Sequence, residues 1–325
     1  MVFIHIASAI ILVSIGMGDL RTGLNRLFGT TLVECLQKMT RNRYQAFFVG
    51  VVAGLITPSS NAIAMLSMQV LNQTALTAGR MLAVVLGANV GITITVQLLA
   101  FRIQDLAGLF ILIGGGSLFL NRAIFRGIGQ VFLGLGFIFL AMNMISGAGK
   151  LLMANNDLKL LLSIIGHYPW IVCIGASFLT LALQSSTASI GLGVGLAQSG
   201  LLTTGILVPW TIGASLGIGL TMLIAGWASV EGRRLALGIL SIKSFGALIV
   251  LAVGLPLAST LLQLLPGEID RQTADFNTLF NLAIGLGALP LLSLVYRGLS
   301  YVIQSHAIEE QTEPSISVRT HGRDR

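Results

Sequence analysis

The chain has 325 residues, of which 54% are hydrophobic and only 10% charged, with a mean hydropathy of +0.89. Soluble domains carry about 25% charged residues, so a disordered chain, a coiled coil and an ordinary cytosolic enzyme are excluded, and an all-α polytopic integral membrane protein is expected. The net charge of +7 does not point to nucleic acid, because the basic residues sit in short clusters between long apolar runs rather than on one continuous face.

A hydrocarbon core about 30 Å thick takes roughly 20 helical residues to cross. In chain order this predicts spanning helices over Val2–Gly18, Thr77–Ala100, Leu106–Leu120, Gly127–Ile145, Thr203–Trp227, Leu235–Leu257 and Phe276–Val295. The first has no basic lead-in and no small-residue cleavage site, so it reads as a retained helix. Two further apolar regions are interrupted. Region 45–72 breaks at Thr57-Pro58-Ser59-Ser60-Asn61, and region 170–198 breaks at Gln184-Ser185-Ser186-Thr187. Each flank is too short to span alone, which suits a pair of re-entrant hairpins whose non-helical turns are buried in protein. The polar stretch 306–325 reads as a disordered cytoplasmic tail. Cys35 and Cys173 have neither disulfide-framework nor metal-ligand spacing.

Charge orients these spans. With the first helix running inward and both hairpins re-entrant, Arg21, Arg26, Lys38, Arg41, Arg43, Arg122, Arg126, Arg233, Arg234, Arg297 and the tail arginines fall inside. Arg102, Lys150, Lys159 and Arg271 fall outside. That asymmetry follows the positive-inside rule and predicts an outside N-terminus and a cytoplasmic C-terminus in the cytoplasmic (inner) membrane. Arg80 and Lys243 remain within helices, where the ordinary reading is that each snorkels to the inner surface. The sharper reading of Lys243 is an intramembrane cation facing an anion path.

The chain also repeats itself. A shift of 126 residues lays Ser59-Ser60 on Ser185-Ser186, Gly87-Ala88 on Gly213-Ala214, Gly91-Ile92 on Gly217-Ile218 and Thr95 on Thr221. Between Leu55 and Thr95, 13 of 41 positions are identical under that shift, against roughly 4 expected from so biased a composition. The segment before the first hairpin lies inside and its counterpart outside, so the two halves are inverted. The expected organisation is a first repeat over 1–126, a second over 127–257 and an additional C-terminal helix within 258–305. Inverted repeats with interrupted helices are the sequence pointer to a secondary transporter whose site lies at the breaks.

A break exposes backbone N–H groups at a half-helix start, which suit an anion. It also frees carbonyl and hydroxyl oxygens, which suit a small cation. The Gly-Ala-x-x-Gly segments read equally well as close helix packing. Apart from Asp19, none of the predicted spans holds an Asp or Glu, which favours sodium over proton coupling. An enzyme is not expected: the histidines are scattered, and no HExxH, GxSxG or carboxylate pair is present.

With these residues in view, the chain resembles the type II sodium-dependent phosphate cotransporter family in its short bacterial form. That family carries a Gln-Ser-Ser-Ser type motif in each of two inverted repeats, followed by a Gly-Ala-Asn-x-Gly-Thr-Thr type segment. Here the motif reads Gln184-Ser185-Ser186-Thr187 in the second repeat and Pro58-Ser59-Ser60-Asn61 in the first, with proline in place of glutamine. Gly87-Ala88-Asn89-Val90-Gly91 matches, Ser215 replaces the second asparagine, and Asn277-Thr278-Leu279-Phe280-Asn281 looks like the family's His-Thr-x-Phe-Asn segment. The resemblance implies symport of inorganic phosphate with sodium as coupling ion and no other cofactor or metal. It implies substrate contacts from Ser59, Ser60, Asn61, Gln184, Ser185, Ser186 and Thr187. Asn89, Thr93, Ser215 and Thr221 would hold sodium or support the site. A transporter of another small anion, or a channel or non-transporting scaffold of the same fold, remains the alternative.

Overall fold

The computed structural model describes residues 2–38, 42–73, 78–120, 122–254, 260, 262, 264–299 and 301. Arg41 and the expected tail at 306–325 lie outside the described residues. The described chain is helical, with no strand among its residues. The helices are α1 Val2–Lys38, α2 Arg43–Ile56, α3 Ser60–Gln73, α4 Ala78–Ala100, α5 Ala107–Leu118 and α6 Ala123–Leu152. They continue as α7 Asn156–Gly166, α8 Pro169–Leu183, α9 Ser186–Gln198, α10 Thr204–Gly226, α11 Val230–Ile249 and α12 Ile269–Ala288. Six helices among the described residues are long and apolar enough to cross a membrane, beginning at Val2, Gly79, Ala123, Thr204, Val230 and Ile269.

Both interrupted regions break where the polar residues predict. The half-helices α2 and α3 are 14 residues each, about 21 Å of rise, and flank Thr57–Ser59. Helices α8 and α9 flank Gln184 and Ser185. Helix starts recur at one spacing: Arg43, Ser60 and Ala78 correspond to Pro169, Ser186 and Thr204, each pair 126 residues apart.

Three expectations change. The first helix does not end at Gly18 but continues to Lys38, so Arg21 and Arg26 are helical rather than part of an inside loop. Polar and charged residues end a run of membrane-compatible sequence, but they do not end a helix, because Arg, Leu and Gln are all good helix formers. The region 106–120, expected to span, forms a helix of 12 residues, about 18 Å long and short of a hydrocarbon core. Finally, α12 begins at Ile269, earlier than the predicted Phe276, and so takes in Asp270 and Asp275; with Glu231 in α11, the long helices are not as poor in carboxylates as expected.

Small residues set the packing, as association in lipid requires. Helix α2 lies on α4 and α8 lies on α10. A Cβ at Gly87 would collide with the Phe47 carbonyl and one at Gly91 with the Val51 carbonyl; Gly213 and Gly217 stand in the same way against Cys173 and Ser177. Those partners are again 126 residues apart. Helices α1 and α6 cross through Gly16 and Gly23 against Gly134 and Gly127. Large side chains such as Phe3, Leu112, Phe119 and Phe178 face outward, as they would toward lipid. Gly213→Val is therefore expected to force α8 and α10 apart and to cost about 3 kcal/mol, read as a lower melting temperature in detergent. An unchanged melting temperature would mean that these helices do not interlock here.

Candidate functional site

Each break starts its second half-helix in the same way. Ser59 Oγ accepts a hydrogen bond from the Ala62 N–H and Ser185 Oγ from the Ala188 N–H, both at 3.3 Å. Serine caps of this kind satisfy one of the N–H groups that a helix start leaves open. The next residues, Ser60 and Ser186, therefore stand at the positive ends of α3 and α9. Half-helix α3 packs on α4 and also on α10, and half-helix α9 on α10 and also on α4, so each break touches the long helices of both halves.

This crossing brings the two breaks to one cavity. Ser60, Asn89 and Thr93 line it from the first half, and Ser186, Thr187 and Ser215 from the second. Lys243 of α11 and Asn277 and Asn281 of α12 complete its polar wall, with Ile92, Val96 and Ile190 as apolar neighbours. No Asp or Glu is among its lining residues. Its volume is about 10 Å³, room for roughly one water molecule or a bare cation.

Hydrogen bonds order the wall. Ser60 Oγ donates to Asn89 Oδ1 at 2.8 Å, while Asn89 Nδ2 is buried without a partner. Lys243 Nζ donates to Ser215 Oγ at 3.1 Å. Asn281 Nδ2 donates to Asn277 Oδ1 at 3.0 Å and to its carbonyl at 2.8 Å. Lys243 is 2% exposed, so it does not snorkel: its ammonium turns inward to α10. The ion pairs among the described residues lie elsewhere, as Arg102 with Glu268 and Asp270, Arg234 with Glu231, and Arg271 with Asp275. In the loop after α4, the Asp270 hydrogen bond is the main cause holding the Arg102 guanidinium above its usual range.

The other expected site residues are nearby in sequence but placed differently. Ser59 and Ser185 serve as caps. Thr221 Oγ1 donates to Asn61 Oδ1 at 3.2 Å, joining α10 to α3 across the two halves. Gln184 has a left-handed backbone, φ 51°, which turns the chain sharply, and its side chain is exposed rather than directed into the cavity. Three polar lining residues were not among the expected site residues: Lys243, Asn277 and Asn281. A polar pair four residues apart on an apolar helix shares one face, and that spacing, with the likeness of Asn277–Asn281 to the family's segment, was the available signal for the asparagines.

Arg21 is a further addition. Its Nε donates to the Pro58 carbonyl and its Nη2 to Ser185 Oγ, each at 3.2 Å. One guanidinium thus bridges the first break to the cap of the second. Where the resembling family has an amide side chain, this chain has Pro58 and presents a carbonyl to arginine. The hydroxyl, amide and carbonyl oxygens around the cavity are hard ligands of the kind a sodium ion takes, though no cluster of three or more His, Cys, Asp or Glu exists among the described residues.

Residues 12–147, which hold the first break and the Gly87–Thr93 segment, match the family described as Na+/Pi-cotransporter. Along most of its length the chain is similar to a Salmonella typhimurium protein named "Putative inorganic phosphate export protein YjbB", with 32% identity over 93% of this chain and 56% of the relative. The Escherichia coli protein of the same name is 31% identical over 96% of this chain and 58% of its own length. The chain thus spans little more than half the length of these relatives. A Bacillus subtilis protein, "Uncharacterized protein YqeW", is 27% identical over 91% of this chain and 97% of its own. No solved structure matches the chain. Together, the paired Ser-rich breaks, the family match over residues 12–147 and the similarity to these relatives support the Na+/Pi-cotransporter family for this chain.

Proposed function

We propose that the chain is a secondary active transporter that moves inorganic phosphate together with sodium across the cytoplasmic membrane. The observation that carries this reading is the cavity where Ser60 and Ser186, the first residues of two half-helices from opposite halves, meet Lys243 with no carboxylate among the lining residues. Two helix starts, each worth roughly half a positive charge, and one ammonium form a wall for a small, highly charged oxyanion. In this reading Ser60, Asn89, Ser186, Thr187, Lys243 and Asn277 contact the anion. Ser59 and Ser185 hold the half-helix starts in position, and the Asn61–Thr221 bond closes the seam between halves. Thr93 and Ser215 supply oxygens to sodium or orient the neighbouring groups, and Gln184 acts through the turn it makes.

The architecture in this reading is two inverted repeats, about 1–126 and 127–257, each holding a re-entrant hairpin, with an added helix in 258–305. The common 126-residue spacing of helix starts and of glycine contacts supports it. The distribution of lysine and arginine supports an outside N-terminus. Thiol reagents should then reach a cysteine at the exposed Lys159 position from outside and one at the exposed Arg297 position only from inside.

Phosphate as the substrate is supported by the family and by the relatives' printed name, which speaks of export; the gradients imposed would decide the direction in a given membrane. Purified protein in liposomes is expected to take up labelled phosphate when sodium is high outside, and far less when potassium replaces sodium. Equal uptake in both salts sinks the sodium coupling, and uptake confined to a different anion sinks the substrate.

A further inference from the structure

From the lone ammonium in the cavity wall, we infer that this transporter works preferentially as an exchanger, trading phosphate for phosphate faster than it carries phosphate one way. This rests on the phosphate reading above and asks what the same site costs when it is empty. Lys243 is buried, its hydrogen bond goes to a neutral hydroxyl, Ser215, and no carboxylate lines the cavity around it. Asn89 adds a buried amide donor without an acceptor. The cavity has room for about one water, too little to hydrate an ammonium fully.

A carrier must pass through a state sealed on both sides each time it changes face. With phosphate bound, the ammonium and both helix starts are paired with negative charge during that passage. Without it, the buried amine must either stay charged beside a hydroxyl and little water or give up its proton, and either course costs free energy. Sodium alone does not relieve this, because it adds a second positive charge to the same small space. The loaded carrier therefore turns over readily and the empty carrier slowly, so return of the empty site limits net transport. Phosphate on the far side removes that limit by reloading the site.

The test compares initial uptake of labelled phosphate into liposomes loaded with unlabelled phosphate and into liposomes without it, with the sodium gradient the same in both. Internal phosphate is expected to speed uptake by about tenfold or more, given the size of an unpaired buried charge. In Lys243→Gln, assayed at phosphate high enough to load the site, that ratio should fall toward one, because the empty site no longer carries the charge. Equal rates in the unaltered protein with and without internal phosphate would overturn the inference while leaving phosphate transport intact. No uptake under either condition would overturn the phosphate reading itself, and the exchange with it. An unchanged high ratio in Lys243→Gln would assign the slow return to something other than this charge and likewise overturn the inference.

Discussion

Lys243→Gln should weaken phosphate binding by roughly two to three orders of magnitude and at the same time raise the melting temperature of the phosphate-free protein. Both effects come from one ammonium. Removing one member of a buried, hydrogen-bonded charge pair costs about 2–5 kcal/mol, and each 1.4 kcal/mol is about tenfold in affinity. In the phosphate-free state the same ammonium is 2% exposed beside a serine hydroxyl, so its removal takes away a desolvation penalty without breaking an ion pair. Glutamine keeps much of the length and can still donate to Ser215. The opposite signs are what make the variant informative. A lysine that merely props α11 against α10 would lose stability on substitution and leave the affinity where it was. Calorimetric titration of phosphate and thermal melting, both in detergent, read the two quantities. A lowered melting temperature, or affinity within a few-fold of the original, would remove Lys243 from the proposed anion wall.

How far the sequence reached can be argued from particular residues. The two breaks were legible because serine, asparagine and proline inside an apolar run have a local cause for being there: they cap and interrupt helices wherever they fall. The 126-residue shift was legible for the same reason, and the structure adds to it the paired glycine contacts of Gly87 on Phe47 and Gly213 on Cys173. What stayed hidden depends on rotation about a helix axis or on a partner far along the chain. Lys243 lies on a helix that also carries Arg233 and Arg234, and composition alone favours a path back to the surface. Its inward turn is decided by α10, which supplies Ser215. Arg21 looked like one of several inside charges, whereas its partners are Pro58 and Ser185, 37 and 164 residues away. Gln184 shows the converse: it sits within the best-matching motif, yet its left-handed backbone turns it outward. Motif membership gives a residue's neighbourhood, while the local backbone gives its direction.

The largest loss of function is expected from Asn89→Asp, a change of almost no volume. Asn89 lines the cavity, accepts from Ser60 Oγ at 2.8 Å, and leaves its amide nitrogen unpartnered. The aspartate can keep the bond from Ser60, so α3 and α4 need not move. What changes is the other atom: a buried donor without a partner becomes a negatively charged acceptor beside the cavity. In the empty protein that carboxylate shares a space of about 10 Å³ with Lys243 and neutralises it, so the fold should hold or gain stability. Toward phosphate the same charge is repulsive, and like charges at a buried interface cost several kcal/mol, so uptake should fall by about a thousandfold or more. Asn89→Ala separates charge from simple loss of a donor. It forfeits the bond from Ser60 Oγ and a hydrogen bond to a charged acceptor, the latter worth about 1.5–3 kcal/mol, and should reduce uptake by roughly ten- to a hundredfold. The gap between the two variants measures the electrostatic preference of the cavity. Phosphate uptake within a few-fold of the original in folded Asn89→Asp protein would mean that the anion does not cross by this cavity. If sodium raises the melting temperature of Asn89→Asp more than that of the original, the new carboxylate has turned an anion site into a cation site.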